Sequence, residues 1–240
     1  MLEYERLRKD QRRFLALTGL TPKELTELHL AFRQAYEKAS PRDKTAAGNA
    51  RKRKAGGGRK GRLRTTEQKL LFSLGYQKVY PRQALLGEVF ELSQSRANRW
   101  IHVLLPILKQ ALDTVGVLPT REPDKFARHE RRHQEARELI IYGTDPRRQR
   151  PKSQEKQALH YSGKHKAQSD KNVVVVNAKT KRVGYLSQTY AGKTHDKKIV
   201  DTEAIRYPRD AILYKDTGFQ GYEPPVRQTQ QPKKSRAKEC

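Results

Sequence analysis

The sequence predicts an α+β protein of several domains, with a helical amino-terminal half and a strand-containing carboxy-terminal half. Apolar residues recur at helical spacing up to about residue 115, whereas short β-branched runs bounded by turn residues take over from Leu139. A cationic, glycine-rich segment separates two helical regions. We therefore expect the following domains: helices at 1–40, a basic linker at 41–64, a helical region at 65–118, a charged connecting helix at 119–138 and a strand-containing domain at 139–240.

The charge of the chain indicates a polyanionic partner. Lys and Arg number 52 against 26 Asp and Glu, which gives a formal net charge of +26. Such an excess repels itself unless a polyanion neutralises it, so nucleic acid is the expected partner. The sequence has no apolar run of the roughly 20 residues that a membrane span needs, and its first residues, MLEYERLRKD, lack the apolar segment typical of a signal peptide. We expect no membrane partner and a cytoplasmic, nucleoid-associated protein.

The single cysteine limits the kinds of site that are possible. Cys240 has no second cysteine to pair with. This excludes an internal disulfide and a zinc site built from several thiolates.

The amino-terminal region, from residue 2 to residue 38, has a helical pattern. Thr21, Pro22 and Glu24 combine a helix cap, a proline at the first helical position and a capping-box glutamate. Leu25, Leu28, Phe32 and Tyr36 then share one face. The expected role of this helix is structural.

The linker is strongly cationic. Arg51 to Arg64 contains eight cations, four glycines and one leucine, so it has almost nothing to bury. We expect it to contact DNA phosphates, and the alternative is a solvated tether without ordered contacts. The candidate residues are Arg51, Lys52, Arg53, Lys54, Arg59 and Lys60.

Three further helices are predicted after the linker. Thr65 and Gln68 resemble a second capping box that starts a helix ending before Pro81. A short helix from 82 to 90 is expected to bury Leu85, Leu86 and Val89. Ser93 is a suitable cap for a third helix, and Pro106 is expected to kink or end that helix.

The third of these helices has an apolar inner face and a polar outer face. Ala97, Trp100 or Ile101, and Leu104 follow the inward spacing. A short helix, a tight turn and a helix with a polar outer face are typical of a helix-turn-helix that reads the major groove of DNA. An ordinary three-helix core remains the alternative. The candidate DNA-binding residues are Gln94, Ser95, Asn98, Arg99 and His102.

The carboxy-terminal pattern predicts a mixed sheet. Strands are expected at Leu139–Ile141, Val173–Val176, Val183–Tyr190 and Ala211–Tyr214, with a helix at about His195–Ile205 before the last of them. Three strands, a helix and a strand follow the order of a ribonuclease-H-like α/β domain.

Several segments together resemble a known family. LLFSLGYQKVYPRQALLGEVFELSQSRANRWIHVLLPIL, YSGKHKAQSDKNVVVV, TKRVGYLSQTYAGKTHDKK and LYKDTGFQGYEP are similar to the DDE superfamily endonucleases of bacterial insertion sequences. The resemblance implies a helix-turn-helix followed by a ribonuclease-H-like transposase domain. It also implies cleavage and strand transfer with Mg²⁺ or Mn²⁺ held by three carboxylates. Double-stranded DNA at terminal inverted repeats is the implied partner, with self-association or pairing with an intact transposase.

The catalytic carboxylates of the family are only partly matched. Asp216 matches the second carboxylate, but Tyr142 stands where the family has the first aspartate, in Tyr142-Gly143-Thr144. Asp145 matches a flanking acidic position, and a shift of three residues moves it about 10 Å along a strand. The family supplies the third carboxylate from a helix beyond the GFQGY segment. We therefore expect a truncated, incomplete domain that lacks a late strand and helices, and doubtful metal binding in a catalytically inactive copy.

Two smaller motifs also resemble features of this family. His195 and Asp196 resemble a family motif that helps to position the catalytic centre, although Asp196 is equally explained as a first-turn acid favoured by the helix dipole. Lys164 and Lys166 resemble a basic loop that contacts phosphates, with an ordinary exposed loop as the alternative.

A non-enzymatic repressor that competes with intact transposase for DNA is the alternative function.

One motif points elsewhere. His129, Glu130 and His133 spell the HExxH signature of zinc proteases. The surrounding arginines indicate an exposed cationic helix instead of a partly apolar metal site. A zinc protease is therefore only a remote alternative.

Overall fold

The chain folds into two compact units. The computed structural model describes residues 2–41, 49–50, 61–131, 138–163 and 165–232. The first unit extends to Val117 and the second begins at Leu118. Helices fill the first unit and a mixed sheet forms the second, so the predicted α+β class is confirmed. The finer domain boundaries within these units stay predictions.

The first unit begins with three helices: α1 (Tyr4–Leu7), α2 (Gln11–Thr18) and α3 (Pro22–Ala39). The Thr21 hydroxyl accepts from the Glu24 backbone N–H, and the Glu24 carboxylate accepts from the Thr21 N–H. This confirms the predicted capping box. Leu25, Leu28 and Phe32 are buried on one face of α3, as the spacing predicts.

Three more helices complete the first unit: α4 (Thr66–Val79), α5 (Gln83–Phe90) and α6 (Gln94–Val115). Thr65 caps α4 by accepting from the Gln68 N–H. Gln68 does not complete a capping box, because its amide instead bonds the backbone of Leu2 and Tyr4. The second predicted capping box is therefore only half correct, and Gln68 ties α4 to the start of the chain.

One prediction about α5 is wrong, and one of the two alternatives for α6 is excluded. Leu85 is 59% exposed and Val89 is 40% exposed, because the buried stripe of α5 runs through Leu86 and Phe90. Pro106 does not end α6, which continues to Val115. A proline costs a helix one backbone hydrogen bond. The buried residues on both sides of it, such as Leu104 and Ile107, stabilise the helix across this position.

A buried lysine fixes the start of this helical region. The Lys69 ammonium donates to the carbonyls of Leu63, Arg64 and Thr65 at 2.9, 3.2 and 3.4 Å. It also lies 5.6 Å from the ring centroid of Trp100. Burial lowers the pKa of Lys69, and the three carbonyls give the buried cation partners. The chain that leaves the basic linker is thereby attached to α4.

The second unit starts with an extended segment instead of the predicted long helix. In the described part of this stretch, helix is found only in α7 (Phe126–Arg131), and residues 132–137 lie outside the described residues. Thr120 exchanges backbone hydrogen bonds with Gly184 and Leu186, which holds this stretch extended along a strand. The start of the predicted connecting helix therefore pairs with the sheet instead of forming a helix.

The second unit contains eight strands among its described residues and two further helices. They are β1 (Glu138–Thr144), α8 (Gln154–His160), β2 (Tyr161–Ser162), β3 (Ala167–Gln168), β4 (Asp170–Asn177), β5 (Val183–Leu186), β6 (Tyr190–Ala191), α9 (Asp196–Glu203), β7 (Ile212–Lys215) and β8 (Gln228–Gln230). The predicted strand from Val183 to Tyr190 is divided, because residues 187–189 form a loop between β5 and β6.

The main sheet has the order β5-β4-β1-β7-β8, and β6 pairs with β4. β1 is antiparallel to β4 and parallel to β7, and β8 continues the parallel part beside β7. This arrangement agrees with the predicted strand order of a ribonuclease-H-like sheet. The expected loss of a late strand is wrong, because Gln228–Gln230 pairs with β7.

The two faces of this sheet are covered unequally. Leu139, Ile141 and Leu213 are completely buried on the face that also packs Ile199 and Val200 of α9. The alternate residues, such as Ile140, Val176 and Tyr214, are only partly buried. The face that carries Ile140, Val176 and Tyr214 is therefore less well covered, as expected of an incomplete domain. No helix among the described residues combines the length and apolar character that crossing a bilayer requires.

Candidate functional site

The turn between α5 and α6 depends on a glycine. A β-carbon on Gly87 would lie 2.6 Å from the carbonyl oxygen of Leu92. The Leu92 N–H donates to the Gly87 carbonyl at 2.8 Å, and Glu91 adopts a left-handed conformation with φ 52°. Only a residue without a side chain fits this close approach. The tight turn sets the direction in which α6 leaves the core.

The outer face of α6 is exposed in the part of the chain that the structure describes. Ala97, Ile101 and Leu104 are buried on its inner face, as predicted. Arg96 is also exposed on the first turn, although the sequence reasoning did not single it out. Its separation of three residues from Arg99 is a signal that places both on one face. The predicted DNA-binding residues Gln94, Ser95, Arg99 and His102 are exposed, and Asn98 is half-buried.

Most of the predicted phosphate-binding residues cannot be placed. Arg51, Lys52, Arg53, Lys54, Arg59, Lys60 and Lys164 lie outside the described residues. Lys166 is described and exposed. The phosphate role of the basic linker therefore stays a prediction.

In the second unit, Tyr142 and Asp216 lie side by side. β1 and β7 are parallel, with Ile140 opposite Tyr214 and Ile141 opposite Lys215. Both strands therefore reach the same edge of the sheet together, and the next residues of the two strands become neighbours. Tyr142 and Asp216 line one cleft of about 410 Å³, with Gln230 and Gln231 of the β8 segment on its rim. These two glutamines were not predicted from the sequence, because the late strand of this segment was expected to be absent.

Asp216 is exposed but its carboxylate is already engaged. One oxygen accepts from the Thr217 N–H at 2.6 Å and from the Thr217 hydroxyl at 3.3 Å. The Asp216 carbonyl accepts from the Gln231 side-chain amide at 2.7 Å. These bonds start the short 3-10 turn Thr217–Phe219 and hold the end of β7 in place.

Asp196 fills the space between the ends of β1 and β7. It is the first residue of α9, and His195 caps that helix by accepting from the Lys197 N–H. A β-carbon on Gly143 would lie 2.5 Å from an Asp196 oxygen, and one on Gly218 would lie 2.7 Å from the other. The motif residue Asp196 is thus positioned next to both strand ends.

A lysine joins Asp196 to Asp145. The Lys171 ammonium lies 3.2 Å from the Asp196 carboxylate and 3.4 Å from the Asp145 carboxylate. The other oxygen of Asp145 lies 3.4 Å from His165. Lys171 was not predicted from the sequence, where its only signal is a cation two residues before the valine run Val173–Val176. Asp145 is held in this network and does not take the position of Tyr142.

The donor set at this edge does not fit two divalent metal ions. Hard divalent cations require several oxygen ligands, and carboxylates supply most of the charge in such centres. Here a phenol occupies the first position and a single exposed carboxylate occupies the second. Among the described residues, no group of three His, Cys, Asp or Glu side chains is arranged to hold a metal ion.

The HExxH motif does not form an open site around its glutamate. Glu130 is only 4% exposed and packs against Gly184. The glutamate of a zinc protease has to reach water at the metal. His133 lies outside the described residues. The burial of Glu130 argues against the zinc-protease alternative.

Comparison with family models assigns both halves of the chain. Residues 61–114 match the model described as the helix-turn-helix of DDE superfamily endonuclease. Residues 141–240 match the model described as DDE superfamily endonuclease, and the two matches together cover more than half of the chain. No curated protein and no solved structure matches the chain.

Each match lies within one of the two compact units. The first covers α4 to α6, and the second covers the sheet with Tyr142 and Asp216. Endonucleases of this superfamily generally depend on divalent metal ions. The chain belongs to the DDE superfamily endonucleases, a family of transposase type, and carries the helix-turn-helix of that family in its amino-terminal half.

Proposed function

We propose that this chain is the transposase of a bacterial insertion sequence that binds the terminal inverted repeats of its element but does not cut DNA. The observation that carries the proposal is the position of Tyr142, beside Asp216 at the shared edge of β1 and β7. The family needs carboxylates there to hold Mg²⁺ or Mn²⁺. A phenol ionises only near pH 10 in water and is a poor replacement.

DNA binding is assigned to the exposed face of α6. A helix that follows a tight turn and presents Arg, Asn, Gln and Ser can donate hydrogen bonds to base edges and phosphates. The net charge of +26 adds attraction for DNA of any sequence. A location at the nucleoid follows from this attraction and is part of the proposal.

The first experiment tests metal binding and cleavage. The wild-type protein is expected to leave a duplex carrying the element ends uncut in Mg²⁺ or Mn²⁺. Electron paramagnetic resonance is expected to detect Mn²⁺ bound to Tyr142→Asp but not to wild type, because the substitution places a second carboxylate beside Asp216. Tyr142→Phe is the matched control and should resemble wild type. The double variant Tyr142→Asp, Asp216→Ala should lose the gained Mn²⁺.

One result would reject the inactive assignment outright. Wild-type protein that nicks this duplex in a metal-dependent manner, with the activity abolished by Asp216→Ala, would show a working centre.

The second experiment tests DNA binding. A protein that makes roughly 6 to 10 phosphate contacts loses about 10³ to 10⁵ in affinity between 50 and 200 mM salt. Fluorescence anisotropy should show this dependence, and Arg99→Ala should weaken specific binding by about 5- to 150-fold. Arg33→Ala removes an exposed cation from α3 instead and should change affinity little. Equal losses from both variants would reject α6 as the DNA-reading helix.

A repressor is the second candidate function. The free face of α6 together with the incomplete carboxylate set fits a protein that occupies element ends and blocks an intact transposase. Mixing the two proteins on one duplex should lower cleavage by the intact enzyme, by competition or by inactive mixed oligomers. Size-exclusion chromatography with light scattering would separate these two mechanisms. Unchanged cleavage at saturating amounts of this chain would exclude the repressor function.

A further inference from the structure

The segment between β1 and β4 forms a small substructure with its own cleft. α8 and the β2-β3 hairpin were not predicted from the sequence, and they border a cleft of about 490 Å³. This volume falls within the roughly 300 to 1,000 Å³ typical of small-molecule pockets. None of the residues that line the cleft at Tyr142 and Asp216 also lines this one.

A charged network joins the elements that border the cleft to the start of β4. Asp170 accepts from the Arg148 guanidinium at 2.7 Å and lies 3.0 Å from a ring nitrogen of His160. The Ser169 N–H donates to the His160 carbonyl at 2.8 Å, and the Arg148 N–H donates to the Gln168 carbonyl at 3.0 Å. These bonds join α8 and the hairpin to the start of β4, so the cleft has a defined framework.

One wall of the cleft offers an aromatic ring and a hydrogen-bond acceptor. Tyr161 is 47% exposed, and it pairs with Gln168 across the hairpin. The side-chain oxygen of Gln168 is buried and accepts no hydrogen bond from the described residues. A buried acceptor without a donor is unfavourable, so a ligand N–H that reaches this oxygen would be stabilised.

The rim of the cleft carries two cations. The Arg150 guanidinium donates to the Gln157 side-chain oxygen at 2.9 Å, and the Gln157 amide donates to the Pro151 carbonyl at 2.8 Å. These bonds orient the guanidinium beside the cleft. Lys166 is exposed on the same rim. Two cations near an exposed ring provide partners for a phosphate and for a base.

We infer that this cleft binds one unpaired nucleotide of a DNA strand. The base stacks on Tyr161 and donates an N–H to the Gln168 oxygen, and the adjacent phosphate lies between Arg150 and Lys166. A base inside a duplex cannot offer its face to a side chain, because both faces are stacked on neighbouring bases. The inference rests on the proposed function, since it requires that the protein binds DNA.

The experiment compares three labelled duplexes of identical sequence. One is blunt, one carries a three-nucleotide single-stranded overhang, and one carries an overhang of abasic nucleotides with the same phosphates. Wild-type protein should bind the normal overhang more tightly than the abasic one. Tyr161→Ala should weaken binding to the normal overhang by about 5- to 150-fold, since stacking on one base contributes about 1 to 3 kcal/mol. Binding of the blunt duplex should not change.

Matched variants separate stacking from charge and from folding. Tyr161→Phe keeps the ring and should bind like wild type, and Leu159→Ala removes an exposed apolar residue of α8 outside the cleft without effect. Lys166→Ala should weaken binding of the normal and the abasic overhang equally, whereas the exposed Lys156→Ala should change neither. Circular dichroism of each variant confirms that it is folded.

Two results would overturn the inference, and they differ in what they say about the proposed function. Equal affinity for the blunt, normal and abasic duplexes would reject the nucleotide site while DNA binding by α6 stands. Absence of all DNA binding would reject both.

Discussion

Two glycines next to the catalytic positions leave room for one carboxylate. Gly143 follows Tyr142, and Gly218 lies two residues after Asp216, and both face the oxygens of Asp196. Neither glycine has a positive φ, so the requirement at these positions is space and not backbone conformation. Asp196 therefore contacts the ends of β1 and β7 together, and the ion pair with Lys171 keeps it there.

We expect Gly143→Ala to destabilise the second unit by about 1 to 3 kcal/mol, because the new methyl group would overlap the Asp196 carboxylate. Asp196→Ala removes the obstacle, so the double variant should lose less stability than the two single losses added together. Urea unfolding followed by circular dichroism measures all four proteins. Additive losses would mean that the two residues do not compete for this space.

The residue pair Tyr142 and Asp216 could be proposed from the sequence, because each follows a recognisable strand and lies in a segment that resembles the family. Lys171 could not, since its role depends on two carboxylates supplied by distant segments. The exposed Leu85 and Val89 show a similar limit. Either stripe of a short apolar helix can face the core, and only the packing of Leu86 and Phe90 decides between them.

At the scale of elements, the direction of α6 depends on the turn that precedes it. The approach of Leu92 to Gly87 places the first turn of α6 directly after α5, and Ser93 caps α6 by accepting from the Arg96 N–H. The proposed DNA-binding face of α6 therefore begins within three residues of the buried Leu92. Any expansion of this turn would displace all the candidate DNA-binding residues of α6 together.

We expect Gly87→Ala to destabilise the first unit by about 1 to 3 kcal/mol and to weaken DNA binding, because a methyl group cannot fit 2.6 Å from the Leu92 carbonyl. Gly75→Ala is the matched control. No atom lies within 4 Å of a β-carbon at Gly75, so alanine should stabilise α4 by up to about 1 kcal/mol. Thermal unfolding and fluorescence anisotropy test both variants, and equal signs of the two stability changes would contradict the steric argument.

Elements with strong local signals were predictable and those formed by tertiary pairing were not. Capping residues and helical spacing located α3, α4 and α6, and runs of valine located β4. Gln228–Gln230 contains no apolar residue and forms a strand only because β7 offers an unpaired edge. The segment at Thr120 is likewise extended because the edge of β5 pairs with it.

At the scale of the whole molecule, each unit has a separate core. One cluster packs around Phe14, Phe32, Phe72 and Phe90, and the other packs β1, β4 and β7 against α9. Trp100 is the only tryptophan and packs against the first cluster. Its fluorescence therefore reports on the first unit, whereas circular dichroism reports on both.

Alkaline pH should destabilise the second core through Tyr190. The Glu203 carboxylate accepts from the hydroxyls of Tyr185 and Tyr190, and burial together with this hydrogen bond raises the pKa of Tyr190 from 10.0 to about 12. The folded chain thus retains the phenolic proton more strongly than the unfolded chain. The stability that this difference provides is complete below about pH 10 and is lost as the pH rises toward about 12.

The comparison of wild type with Tyr190→Phe tests this expectation. Below about pH 10 the wild type should be the more stable protein in urea, and its advantage should shrink between about pH 10 and 12. Circular dichroism should record the change, and the unfolding curve from Trp100 fluorescence should be the same for both proteins. A constant advantage up to pH 12 would mean that Tyr190 does not supply the pH dependence. An equal effect on the Trp100 curve would mean that the two cores unfold as one.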